Sequence, residues 1–190
     1  NSLAETYAYG GSDADRAQAL ESFEAALRLR EEEGVGDLAG RARTHGGLGR
    51  LFYFAPEPDL ERARDHFRTN LAICEEIGER KGQCAMNSFL GRCDRDEGKW
   101  ESALEHYRAS FRLAESRLDR VFAGAGRLES LGELEGPAGE LEATGLELVE
   151  LTADDGIPSF AWADIRRALK SAAQKSEWWR TLNERATAVR

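Results

Sequence analysis

Apolar residues recur along the chain at helical spacing, in blocks separated by Gly, Pro and Ser. Ala19, Leu20, Phe23, Ala26 and Leu27 fall at i, i+1, i+4, i+7 and i+8, and Ala63, Phe67 and Leu71 keep one face in thinner form. Asp59, directly before Leu60, is placed to accept the first unbonded N–H groups of a helix, and Gly34 and Gly78 stand where helices should stop. The pattern predicts helices over 2–9, 13–33, 38–54, 59–77, 81–96, 99–117, 119–134, 138–152, 159–173 and 175–189, and no strand.

The blocks repeat. A Leu-small pair stands at Leu3-Ala4, Leu48-Gly49, Leu90-Gly91 and Leu131-Gly132, at intervals of 45, 42 and 41 residues. Downstream of the first three comes an Ala with an aromatic four residues on: Ala19/Phe23, Ala63/Phe67 and Ala103/Tyr107. A breaker separates pair from Ala each time, as in Gly10-Gly11-Ser12, Ala55-Pro56-Glu57-Pro58 and Glu97-Gly98; in the last unit it is Gly136-Pro137, and Thr144/Leu148 replaces the Ala/aromatic pair. Markers that keep one period of about 40 residues define a repeat protein, in which each helix pair buries its apolar face only against its neighbours.

Gly91, Gly98, Trp100, Ala103 and Tyr107 reproduce the small–Gly–aromatic–Ala–aromatic skeleton of tetratricopeptide repeats, and the stretch from Leu71 to Arg80 resembles the helix end and turn of that family's longer-unit subclass. The resemblance covers 1–152, as units 1–34, 38–77, 81–117 and 119–152. It extends more weakly over 157–190 through Leu169, Trp179, Leu182, Ala186 and Val189, a degenerate final pair that caps or docks. Where the short form has a helix-starting Trp this chain has His45, Asn87 and Leu128, and its second unit carries a two-residue insertion. The resemblance implies an all-α, right-handed superhelix of antiparallel helix pairs, a tetratricopeptide-like solenoid of about 4.5–5 units. Gly49, Gly91 and Gly132 would let paired helices approach closely, and Phe23, Phe67 and Tyr107 would fill the gap to the next unit. The first helix of each pair would line a concave groove that binds a peptide or protein segment.

Charge narrows the partner. The 190 residues carry 26 basic and 35 acidic side chains, a net charge of −9, which argues against nucleic acid. Of the basic residues 4 are Lys and 22 Arg, so positive charge arrives mostly as planar guanidinium forks. No apolar run approaches the roughly 20 residues of a membrane span, and the 3 Cys are too few and odd in number for a secreted disulfide scaffold, which places the chain in a reducing cytoplasm. It opens without Met inside helical sequence, as expected of a piece of a larger regulatory protein.

Candidate chemistry is thin. Gly46-Gly47-Leu48-Gly49 resembles a phosphate-binding run but sits inside a helix, where close packing explains it. His66 and His106 occupy equivalent repeat positions with no partner at metal-ligand spacing, and His45 reads as a packed residue; no metal site and no cofactor are expected. Cys74, Cys84 and Cys93 read as buried thiols, the Glu-rich stretches as solvated faces, and Phe160, Trp162, Trp178 and Trp179 as a cap or docking patch. No nucleophile motif is present, so no enzyme is expected.

The groove itself can be read by angle. At about 100° per residue, Arg43, Gly46, Arg50 and Tyr53 share one arc of the second unit. Ala85, Ser88, Arg92 and Arg95 take the same arc in the third, and Gly126, Glu129 and Glu133 in the fourth. The arginines either bind a carboxylate or phosphate ligand or pair with Glu on neighbouring helices. No Lys lies on the arc and Asn87 is off it, unlike the carboxylate-clamp repeats that bind chaperone tails. The expected function is non-catalytic binding of an acidic, phosphorylated or extended segment, with no nucleic acid and no membrane as partner. The alternatives are a peptide or small-molecule sensor of a signalling ATPase or transcription regulator, and a repeat domain attached to a catalytic partner such as a protease.

Overall fold

The computed structural model describes residues 12–32, 37–153 and 156–173. Over these it contains α1 (Asp13–Glu32), α2 (Leu38–Tyr53), α3 (Leu60–Glu76), α4 (Arg80–Asp96), α5 (Trp100–Leu113), α6 (Arg117–Glu133), α7 (Ala138–Leu151) and α8 (Trp162–Ala173). There is no strand among the described residues. The starts follow from side-chain caps: Asp37 accepts from Gly40 N–H at 2.7 Å, Asp59 from Arg62 N–H at 3.0 Å and Ser116 from Asp119 N–H at 3.1 Å. Three ends share one device. Gly78, Gly98 and Glu135 have φ of 68°, 71° and 51°. The next N–H, on Glu79, Lys99 or Gly136, then reaches back to the carbonyl of Cys74, Asp94 or Leu131 at 2.8, 2.8 and 2.9 Å.

Two boundaries differ by more than two residues from those the sequence predicts. Helix α5 stops at Leu113 rather than 117, because Ala114 turns extended (ψ 122°) and releases Ser116 to cap α6. The segment expected as a helix over 159–173 opens with a single 3-10 turn, Ser159–Ala161, after Pro158. The expected helices 2–9 and 175–189, Gly34, Trp178 and Trp179 lie outside the described residues.

Adjacent helices pack as antiparallel pairs. Between α2 and α3, Ala42 meets Asn70, His45 meets His66 and Phe52 meets Arg62, so numbers rise on one helix as they fall on the other. Between α6 and α7, Arg127 reaches Glu147 and Arg117 donates to Leu151 O at 2.7 Å. Helix α8 runs parallel to α6, since Glu129 meets Arg167 and Glu133 meets Ser171. The chain divides into two compact units, Asn1–Cys93 and Asp94–Arg190. In the first, Ala19, Phe23, Leu48 and Leu51 form one cluster, and Ala63, Phe67, Met86 and Leu90 another. In the second, one larger core joins Leu104, Val121, Leu128, Leu131, Leu148 and Ile165.

Among the described residues the repeat aromatics are the largest fully buried side chains. Phe23, Phe67 and Tyr107 are no more than 1% exposed, and sealing a ring of this size from water contributes about 1.5–3 kcal/mol. Each lies on a glycine. A Cβ on Gly47 would come 2.4 Å from the Phe23 ring, one on Gly49 2.4 Å from Phe67 and one on Gly126 2.4 Å from Tyr107. The Phe67 ring also stacks on Phe89 of α4, with centroids 4.8 Å apart. Gly132 serves a different contact from the one expected. Its neighbour is Ser171 on α8, 2.8 Å from where a Cβ would stand, rather than its hairpin partner α7.

Candidate functional site

The first unit holds a pocket of about 560 Å³, walled by Ala39, Ala42, Arg43, Gly46 and Arg50 of α2, Asn70 and Cys74 of α3 and the start of α4. Its floor is set by Asn70, which is 5% exposed. The Asn70 amide donates to Ala42 O, and its carbonyl oxygen accepts from Cys74 Sγ at 3.0 Å. Gly46 makes this reach possible, because a Cβ there would stand 2.6 Å from Asn70 Nδ2. Burial, and then the Glu79 carboxylate, push the Cys74 thiol up to about 11, so it stays protonated and is a poor nucleophile. Glu79, the acidic residue of the lining, accepts from Gly82 N–H in the first turn of α4 and lies 3.7 Å from Cys74 Sγ. Around the rim stand Arg43, Arg50 and Lys81, with Ala39, Ala85 and Met86 as apolar wall. The result is a cationic, half-apolar cleft on a protein of net charge −9.

The residues read from sequence as a groove separate into groups. Arg43 and Arg50, with Gly46 and Ala85 of the same arcs, line the pocket. Tyr53 does not; it is 9% exposed and sits edge-on to Phe54 and Phe89 at 4.8 and 6.2 Å, closing the core of its unit. Ser88 is half-buried on α4, and Arg92 lies over the Phe89 ring at 5.8 Å. In the second unit Arg95 pairs with Asp96 at 2.7 Å and approaches Glu129 at 4.0 Å. Both oxygens of Glu129 accept from Arg167 Nε, at 2.8 and 3.0 Å, and Glu133 accepts from Ser171 Oγ at 2.8 Å. Those side chains tie the last turn of α4, α6 and α8 together. Among the pocket residues that the angular reading passed over are four with polar or ionisable side chains, Asn70, Cys74, Glu79 and Lys81. Asn70 did leave a trace in the sequence, as the one polar position on the α3 stripe of Phe67 and Cys74.

Other polar clusters are structural joints. Ser102 donates to Asp94 Oδ2, and His106 Nε2 stands 3.8 Å from the same oxygen, joining α4 to α5. His45 and His66 face each other with Nδ1 atoms 3.0 Å apart, and His66 stacks on Phe52 at 5.6 Å with 4° between the planes. All three cysteines are buried. Among the described residues no group of three or more His, Cys, Asp and Glu side chains could hold a metal ion, and no helix is long and apolar enough to cross a membrane.

Fold and site together define an all-α protein of packed helix pairs carrying a cationic pocket. No protein-family model, curated protein or solved structure matches the chain.

Proposed function

We propose that this chain is a non-catalytic recognition domain, a tetratricopeptide-like array whose first unit binds an acidic peptide or protein segment. The observation that carries the reading is the pocket rim: Arg43, Arg50 and Lys81 surround a cleft whose acidic side chain, Glu79, is engaged by the backbone of α4. Guanidinium groups recognise carboxylates and phosphates through paired hydrogen bonds, and the apolar wall suits the stem of an acidic residue. An acidic protein with a local cationic cleft repels anions elsewhere and draws them there. A larger regulatory protein of the cytoplasm is the setting this reading implies.

The pocket volume favours one second reading. About 560 Å³ lies within the range of small-ligand sites, so a compact polycarboxylate could occupy the cleft as the input of a sensor. Titration of the chain with a fluorescent oligoglutamate peptide, with citrate as competitor, separates the two. The Arg43→Glu/Lys81→Glu double variant should weaken peptide binding by about tenfold, at about 0.5–1 kcal/mol for each exposed contact. Lys170→Glu, on α8, should leave it unchanged. Equal losses in both variants would mean non-specific charge attraction and end the proposal. Citrate binding stronger than the peptide's would establish the sensor reading.

A further inference from the structure

The pocket of the first unit carries its charge unevenly. A Cβ on Gly46 would stand 3.8 Å from Arg50 Nη1 and 2.6 Å from Asn70 Nδ2, so both groups border one point of α2. Asn70 in turn bonds Cys74, and Cys74 Sγ lies 3.7 Å from Glu79 Oε2. The cleft thus runs from a cation at Arg50, over a buried amide, to a carboxylate at Glu79. Glu79 directly precedes α4 and caps it through Gly82 N–H. Asp37, Asp59 and Ser116 cap α2, α3 and α6 with shorter side chains, the types that suit this position, so capping does not call for the extra methylene of Glu79. Gly82 clears space for it: a Cβ there would collide with Glu79 Oε2 and stand 2.5 Å from Cys74 Sγ. Both of these contacts of the carboxylate fall on Oε2, and neither uses Oε1.

We propose that this pocket recognises a primary ammonium group next to a carboxylate, as at the free amino terminus of an acidic peptide: Glu79 Oε1 accepts from the ammonium, and Arg43, Arg50 and Lys81 take the carboxylates. The inference rests on the binding reading above and names what that site selects. A purely cationic cleft would accept any anion. A carboxylate built into its wall penalises a ligand that brings only negative charge and favours one that also brings a donor. The charge of Glu79 reaches the floor, where, after burial itself, it helps push the Cys74 thiol up to about 11. Lys81, two residues on, offsets that charge at longer range, so the amino group is held by its hydrogen bond to Oε1 rather than by the net field. Charge-assisted bonds of this kind are short and about twice as strong as neutral ones. The Asn70 amide keeps a second proton beyond the one given to Ala42 O, a donor for the neighbouring carboxylate. Ala85 and Met86 then face the apolar stem of the first side chain.

Calorimetric titration of the full chain tests this with unlabelled triglutamate, its N-acetylated form and free glutamate. At a pH of about 7 a terminal amine, with an ordinary pKa of about 7.7–8.0, is mostly protonated. The free-amino peptide should bind about fivefold or more tighter than the acetylated one. Charge attraction alone would favour the acetylated form, the more negative of the two. Glu79→Gln keeps an oxygen for Gly82 N–H and so keeps the α4 cap, which helicity checks. It removes a negative charge from the cleft, so it should bind the acetylated peptide more tightly than the unaltered chain does, and the free-amino peptide less tightly. If Glu79 served only to cap α4 and weaken the cationic field, both peptides would gain affinity together, and that result would overturn the proposal. Equal binding of the two peptides to the unaltered chain would overturn it as well, while leaving the acidic-segment reading in place. Binding of neither would end both. Free glutamate bound as tightly as triglutamate would assign the same ammonium and carboxylate recognition to a small zwitterion in place of a peptide end.

Discussion

At the scale of single residues, the turn after α6 shows what one side chain can cost. Gly78 and Gly98 adopt the left-handed conformation freely, but the equivalent position after α6 is Glu135, at φ 51°. A side chain in that region costs about 1–2 kcal/mol, and the extra unfolded-state entropy of a glycine returns about 0.5–1 kcal/mol of it. Glu135→Gly should therefore stabilise the protein by about 0.5–1 kcal/mol, and Gly98→Ala should destabilise it by about 1 kcal/mol or more. Urea unfolding midpoints of both variants check the pair, and opposite signs are the required outcome. The histidine pair gives a second residue-scale prediction. In the unfolded chain both rings take protons near their ordinary value of about 6.5, whereas the folded pair resists, His45 down to about 4. The unfolded state then binds more protons in that window, so this contribution is complete above pH 6.5 and is lost as pH falls toward 4. Allowing for solvent screening at half-buried rings, the loss is of order 1–2 kcal/mol. His45→Gln should flatten the fall in stability between about pH 6.5 and 4.5 relative to the unaltered chain. An unchanged slope would place the proton uptake elsewhere.

At the scale of elements, helix pairing turns on which glycines face a ring. A Cβ on Gly49 would stand 2.4 to 3.0 Å from three Phe67 ring atoms. Gly49→Ala gains about 1 kcal/mol of helix propensity but forces apart a packed ring, at about 1–3 kcal/mol, and the clash should win. On Gly124 the nearest atoms would be Leu148 Cδ1 at 3.6 Å and Phe111 at 3.8 Å, ordinary contacts, so Gly124→Ala should stabilise by about 0.5–1 kcal/mol. Thermal unfolding of both variants decides the matter; a stable Gly49→Ala would mean that α2 and α3 do not meet through Phe67. These contrasts also show what the sequence made legible. Helix positions were readable because the apolar stripes and the caps at Asp59 and Gly78 are local signals. The end of α5 was not, since the helical pattern continues through Ala114 and only the competing cap at Ser116 stops it. The role of Gly132 was hidden for a related reason: its neighbour Ser171 is 39 residues away, on a helix that the period does not name.

At the scale of the molecule, the pocket was half legible. Arg43, Gly46, Arg50 and Ala85 share a face by angle alone, and angle is local. Asn70 and Cys74 reach the cleft from α3 and Glu79 from the turn before α4, where no arc drawn on α2 or α4 can find them. Lys81, by contrast, stands on the Ala85 arc of α4 and was readable by the same angle. Tyr53 shows the opposite limit, since an angle does not say whether a ring turns toward the cleft or, as here, into the Phe54–Phe89 cluster. The two units also differ in how their cores are joined, and that difference yields a test of ligand binding. In the second unit α6 packs against α5, α7 and α8 around one continuous core, so Val121, Leu128 and Leu131 are sealed on several sides. In the first unit α1 packs chiefly on α2, and the apolar clusters are smaller. Amide exchange reads local opening, which is costliest where buried apolar contact is densest. Backbone amides of 121–131 should thus exchange slowest and those of α1 fastest among the described helices. If an acidic ligand occupies the pocket, adding oligoglutamate should slow exchange in 40–50 and 79–86, whose residues line it, while 121–131 stays as it was. The slowing should shrink as salt is raised toward physiological strength, where the screening length falls to about 8 Å. Protection that appears instead around Glu129 and Arg167 would move the binding surface to the α6–α8 side of the second unit, and the arginines of α2 would then have no part in recognition.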